Sequence, residues 1–66
     1  MATGVSILRR RQVEKRTGLT RSPLYARVKE GSFPRPVRLG NGRAVGWIES
    51  EIDMWLAEQI QKSRKA

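Results

Sequence analysis

Apolar residues are sparse along this chain and fall into short groups, set off from one another by glycine, proline or charged residues. Ile7 and Leu8 come first. In residues 9–17 only Val13 and Thr17 stand one turn apart on an otherwise polar stretch, which predicts a short helix with a narrow buried stripe, dependent on its neighbours for stability. Gly18 closes that helix and Leu19 pins the turn. Leu24 and Val28 then share a helical stripe with Tyr25 beside it, so residues 18–31 read as the turn and second helix of a helix-turn-helix. This helix starts somewhere in Thr20 to Ser22. A Thr20 cap conflicts with Pro23, because the residue before a proline is pushed away from helical angles. A Ser22 cap makes Pro23 the first helical residue, where proline fits best.

After Gly31 two prolines forbid a further helix, and Phe33 is expected to anchor an extended crossing. Val37 to Leu39 and Ala44 to Ile48 flank Gly40-Asn41-Gly42, a hairpin signal. A two-residue Asn41-Gly42 turn would pair Val37 with Gly46 and split the apolar residues between two faces. A three-residue loop with Gly42 in the left-handed conformation instead gathers Val37, Leu39, Val45 and Trp47 on one face, turns Arg38 outward and leaves Arg43 at the tip. From Glu49 to about residue 61, Ile52, Trp55, Leu56 and Ile60 recur at helical spacing, with Ile48 on the same stripe. The expectation is a mainly α fold with a small β-hairpin, one domain over residues 1–66 with an ordered core at about 7–61 and mobile tails at 1–6 and 62–66.

Sixty-six residues make one small module, near the size where a single core is only marginally stable. There is no cysteine and no histidine, hence no disulfide framework and none of the usual zinc ligands. No metal, cofactor or small-molecule ligand is expected. With no glycine-rich phosphate loop and few carboxylates, mostly crowded on one helix, the chain does not read as an enzyme. No apolar run approaches the roughly 20 residues of a membrane span, and the first residues lack signal-peptide order, which points to a cytoplasmic protein.

The net charge of +8 changes the picture most, because a polyanion is the partner such a charge attracts. Its distribution is uneven. Eleven Lys and Arg stand in residues 1–48 against Glu14 and Glu30 alone, whereas residues 49–58 carry four carboxylates and no cation. One basic face and a nucleic acid as partner follow from that distribution, and with the helix-turn-helix reading the expectation is double-stranded DNA and a nucleoid-associated protein. The candidate contacts are Arg9, Arg10 and Arg11 along a phosphate backbone, Arg21, Arg27 and Lys29 outside the apolar stripe of the second helix, and Arg38 and Arg43 on the hairpin. Thr20, Ser22 and Tyr25 join them from the start of that helix, although Tyr25 also suits a packing role and residues 9–11 also suit a plain solvated helix. Carboxylates Glu49, Glu51 and Asp53 complement the positive end of the last helix, and Lys62, Arg64 and Lys65 its negative end. The same acidic cluster read as a partner surface would make the chain a protein–protein adaptor.

Three stretches carry a family resemblance: Thr-Gly-Leu-Thr-Arg-Ser-x-Leu-Tyr from Thr17, Lys-Glu-Gly-x-Phe-Pro-x-Pro-Val-x-Leu-Gly from Lys29, and Gly-Arg-Ala-Val-Gly-Trp-Ile-Glu-Ser-Glu-Ile-Asp-x-Trp-Leu from Gly42. In order and spacing they closely resemble the AlpA family of phage-type regulators, over roughly residues 7–61. The resemblance implies a winged helix-turn-helix of the MerR and excisionase-like kind, three helices plus a two-stranded wing, encoded in prophages and acting on DNA. It makes Arg21, Ser22 and Tyr25 recognition-helix residues, Gly42 and Arg43 the wing tip, and Trp47 and Trp55 core positions. The chain departs from the family at Pro23, where a hydroxyl residue is usual, and at Ala26, where arginine is common. What is implied is a sequence-specific transcriptional regulator, or an excisionase-like architectural factor in site-specific recombination, working with a second copy on an adjacent site or with an integrase.

Overall fold

The computed structural model describes residues 5–65. Helix α1 spans Arg10–Thr17 and α2 spans Arg21–Glu30; three short strands follow the order β1 Ile7–Leu8, β2 Val37–Arg38 and β3 Val45–Ile48, and α3 runs over Glu49–Lys65. The amide of Arg9 donates to Gln12 Oε1 at 2.8 Å, which fixes the entry to α1. Gly18 ends that helix at a φ of 78°, its N–H donating to Glu14 O at 2.8 Å. Thr17 is tied locally: its hydroxyl donates to Val13 O at 2.8 Å and accepts the Leu19 N–H at 3.2 Å, which draws the turn back onto α1.

Thr20 occupies the cap position of α2, so Pro23 is the third helical residue. The start is therefore Thr20 and not Ser22. A proline there removes no hydrogen bond, since the first intrahelical bond is donated by Leu24 to Thr20 O, at 3.0 Å. Gly31 ends α2 at a φ of 85°, and Ser32 N–H reaches back to Arg27 O at 2.9 Å.

The proline-rich crossing that follows has no strand partner, and the two tryptophans supply its donors. Trp47 Nε1 donates to Pro34 O at 2.9 Å and Trp55 Nε1 to Ser32 O at 2.7 Å. Phe33, only 4% exposed, packs edge-on against Trp55 with ring centroids 4.7 Å apart. One buried ring and two indole bonds thus fasten the segment between α2 and the sheet.

The sheet corrects the sequence expectation in two ways. It has three antiparallel strands in the order β1-β3-β2, not two, because Ile7 and Leu8 pair with Ile48 and Trp47. Its hairpin also takes the other register: Val37 lies opposite Gly46 and Arg38 opposite Val45, with Leu39 N–H donating to Ala44 O at 2.8 Å. The loop beyond that pair is Gly40 to Arg43, and the left-handed residue is Gly40, at a φ of 69°, instead of Gly42. Apolar residues are therefore split between two faces. Leu8, Val45 and Trp47 turn toward the helices, while Ile7, Val37, Leu39 and Ile48 share the other face. Gly46 lies between Ile7 and Leu39 on that second face; a Cβ on it would overlap Ile7 Cγ2 and stand 3.1 Å from Leu8 O and 3.4 Å from Leu39 Cδ1. The unforeseen strand is what makes the split register tolerable, since β1 brings Ile7 over the glycine.

Leu8, Val13, Leu24, Phe33, Trp47 and Ile52 form the buried core, one or more from almost every element. Trp55 and Leu56 pack against it half-buried, so Trp55 is a rim residue whereas Trp47 is fully enclosed. The α3 stripe leaves the core before its end. Ile60 is 50% exposed, and the helix continues past residue 61 to Lys65. At its other end α3 is fastened to its surroundings. Glu49 N–H donates to Ser6 O at 2.8 Å, and Arg16 of α1 bridges Glu49 at 2.6 Å and Asp53 at 2.9 Å. The expected mobile tails at 1–6 and 62–66 meet the described residues only in Val5 and Ser6 and in Lys62 to Lys65.

Candidate nucleic-acid interface

Helix α2 has one inward stripe and three solvent-facing sectors around it. Leu24 is fully buried and Val28 half-buried on the inner side; at about 100° per residue, Arg21 and Tyr25 fall on one flank, Ser22, Ala26 and Lys29 on the outer face, and Arg27 on the opposite flank. Arg21, Ser22, Ala26, Arg27 and Lys29 are all exposed. Tyr25 is 38% exposed, its ring 6.1 Å from that of Trp47, so it lids the buried indole and shows an edge to solvent. The candidates on this helix therefore divide: Arg21, Ser22, Tyr25 and Lys29 lie around one side and Arg27 on the other, with Thr20 at the cap before the first turn.

Arg27 is engaged elsewhere. Its guanidinium carbon sits 5.9 Å from the centre of the Trp55 ring, at the edge of a groove of about 740 Å³ between the residue 31–37 crossing and α3. Arg35, Glu51, Met54 and Lys62 also line that groove, which mixes both signs of charge.

In the first helix, Arg9 and Arg11 are exposed and unlike Arg10, which is half-buried and paired with Glu14 at 2.7 Å. Arg10 is thereby neutralised locally. Arg10, Arg11 and Thr20 nonetheless line one shallow groove between α1 and the turn. On the hairpin, Arg43 is exposed in the loop. Arg38 shares the sheet face of Val45 and Trp47, opposite to the outward expectation, and stays exposed because β2 is an edge strand. That places Arg38 on the side of the sheet that carries the helices.

Sequence reasoning missed Arg16. Its partners lie 33 and 37 residues away, and no local pattern announces them. The pairing also removes Glu49 and Asp53 from the exposed acidic cluster, leaving Glu51 and Glu58 as the carboxylates of α3 without a salt bridge among the described residues. Among those residues no group of acidic side chains could hold a metal ion, and no helix is long and apolar enough to cross a membrane.

Two helices joined by a three-residue turn, a small antiparallel sheet whose hairpin follows them and a closing helix make a mainly α fold compatible with a helix-turn-helix followed by a wing. The family comparison is specific within that class. The chain belongs to the family described as prophage CP4-57 regulatory protein (AlpA), whose model matches residues 6–60. One relative is the DNA-binding transcriptional activator AlpA of Escherichia coli (strain K12), 36% identical over 65 residues that cover 89% of this chain and 91% of the relative. Another is the uncharacterized protein ORF88 of Enterobacteria phage P4, 44% identical over 43 residues, which cover 65% of this chain and 48% of that protein, so the match spans about half the phage protein's length. No solved structure matches the chain significantly.

Proposed function

We propose that this chain is a sequence-specific DNA-binding transcriptional regulator of phage or prophage type, with α2 in the major groove and the segment 37–47 as a wing on the backbone. The observation that carries the reading is the first turn of α2. It presents Arg21 and Ser22 to solvent, on a helix held from behind by Leu24, and recognition helices offer their N-terminal residues to base edges. Arg21 is the base reader in this account, because a first-turn arginine makes the two-pronged contact with guanine. Lys29, Arg38 and Arg43 serve the phosphates, and Arg27, against Trp55, serves packing first. The net charge of +8 supplies long-range attraction, and the name of the Escherichia coli relative agrees with the same reading. One module of this size covers a short site, so a second copy on an adjacent site or an integrase supplies the remaining specificity. Selection from a random duplex library, followed by footprinting of the selected sequence, tests the reading: enrichment of one motif with a protected patch supports it, and uniform recovery of all sequences contradicts it.

A further inference from the structure

We infer that the groove between α1 and the 18–20 turn is a clasp for a single DNA backbone phosphate, formed by Arg11, Lys15 and the Thr20 hydroxyl. The inference rests on the DNA-binding reading above and extends it to a residue, Lys15, outside the candidate set. The groove, of about 520 Å³, is lined by Arg10, Arg11, Glu14, Lys15, Leu19 and Thr20 together with Gly18. Arg10 and Glu14 neutralise each other at 2.7 Å, so its net charge comes from Arg11 and Lys15. Both are exposed, one turn apart, on the ridge of α1 opposite the buried Val13. Like charges at that spacing repel, and a helix of eight residues is a poor place to carry the repulsion unless an anion comes between them.

The hydroxyl is the second, independent observation. A capping threonine ordinarily accepts from the N–H of the second or third helical residue. Here the third is Pro23, which has no N–H, and Thr20 makes no side-chain capping bond. Thr20 is therefore an exposed cap residue with its hydroxyl unspent, beside two cations in one concavity. A guanidinium, an ammonium and a neutral hydroxyl suit the non-bridging oxygens of a phosphodiester. Arg21 is the next residue, so a phosphate held here sets the first turn of α2 over the adjoining base pair.

The test uses the full chain and its selected duplex, titrated against salt. Arg11→Gln and Lys15→Gln together lower the slope of log affinity against log salt by about 0.9, which is about eightfold at 0.1 M salt, and do so equally on target and random duplex. Thr20→Val weakens binding without moving the melting temperature, since no capping bond is lost. In a P23A background, which restores the missing N–H, Thr20→Val also lowers the melting temperature, because the hydroxyl accepts that N–H while its own proton still donates to the phosphate. A methylphosphonate scan of the target then finds one position whose neutralisation weakens the unmutated protein and is silent in the double variant. Inorganic phosphate competes no better than chloride at equal ionic strength. Competition beyond that would make the groove a site for free anions and overturn the assignment. An unchanged slope in the Arg11→Gln, Lys15→Gln double variant, while Arg21→Ala still relaxes base discrimination, overturns the clasp and leaves the DNA reading standing; absence of duplex binding by the unmutated chain overturns both.

Discussion

Replacing Gly46 by alanine is the most direct perturbation of the fold, because two opposed effects there can be weighed against each other. Glycine inside a strand is less favourable than alanine by roughly 0.5–1 kcal/mol, so an alanine with room for its methyl would stabilise the protein. At Gly46 there is no room. The added Cβ overlaps Ile7 Cγ2 and stands 3.1 Å from a backbone oxygen, Leu8 O. Ile7 is β-branched and stiff about χ1, and the carbonyl belongs to the strand that pairs with β3, so relief requires β1 to move. Overpacking of this kind costs about 1–3 kcal/mol, and with an overlap this deep against a stiff side chain and a backbone oxygen the cost outweighs the propensity gain, for a net loss of up to about 2.5 kcal/mol. In a domain of this size each kcal/mol moves the melting temperature by roughly 4–8 °C. Thermal unfolding followed by circular dichroism should therefore show a clear fall for Gly46→Ala. Ile7→Ala should relieve the overlap, so the double variant loses less than the sum of the two single losses, by about 1 kcal/mol. A stabilising Gly46→Ala, or strict additivity in the double variant, would refute both the three-stranded sheet and its register.

Further expectations concern the core, the α1–α3 link and the wing. Trp47→Ala should cost roughly 3–5 kcal/mol and largely unfold the domain, while the half-buried Trp55 should cost less; urea titration measures both, and equal losses would contradict their different burial. Arg16→Met removes the bridges to Glu49 and Asp53 and should destabilise by about 0.5–1 kcal/mol at low salt, with the difference shrinking as salt is raised. A salt-independent loss would assign Arg16 to packing. Arg38→Ala and Arg43→Ala should each weaken all duplexes alike and lower the salt slope by about one; unchanged binding to both target and random duplex would remove the hairpin from the interface.

The helices are legible in the sequence because their signals are local. Gly18 and Gly31 stop α1 and α2 where a left-handed residue is required, and the spacing of Val13, of Leu24 with Val28, and of Ile52 with Leu56 sets each buried side. The sheet is less legible because its evidence is not local. Two residues, Ile7 and Leu8, carry no period of their own, and become a strand only when β3 is beside them. Without that strand the split of Val37 and Leu39 from Val45 and Trp47 looks like wasted apolar surface, and the hairpin register comes out the other way. In the candidate interface, exposure of the cations follows from the helical stripes, whereas their partners do not. Nothing near Arg27 in sequence announces Trp55, and nothing near Arg16 announces Glu49 and Asp53. The start of α2 illustrates the same limit: the restriction that proline places on its predecessor favours Ser22, yet the helix accommodates Pro23 in its first turn, where the missing donor is not needed.

The central claim is that the first turn of α2 reads bases through Arg21. Competition binding at fixed salt, with the selected target and its single-base variants, compares Arg21→Ala with the unmutated chain. Arg21→Ala should lose roughly 1–3 kcal/mol on the target and relax discrimination at one base pair, the pair that a two-pronged arginine contact would specify. A loss by the same factor on the target and on every variant would contradict it, since Arg21 would then only position the protein and base reading would lie elsewhere on the helix.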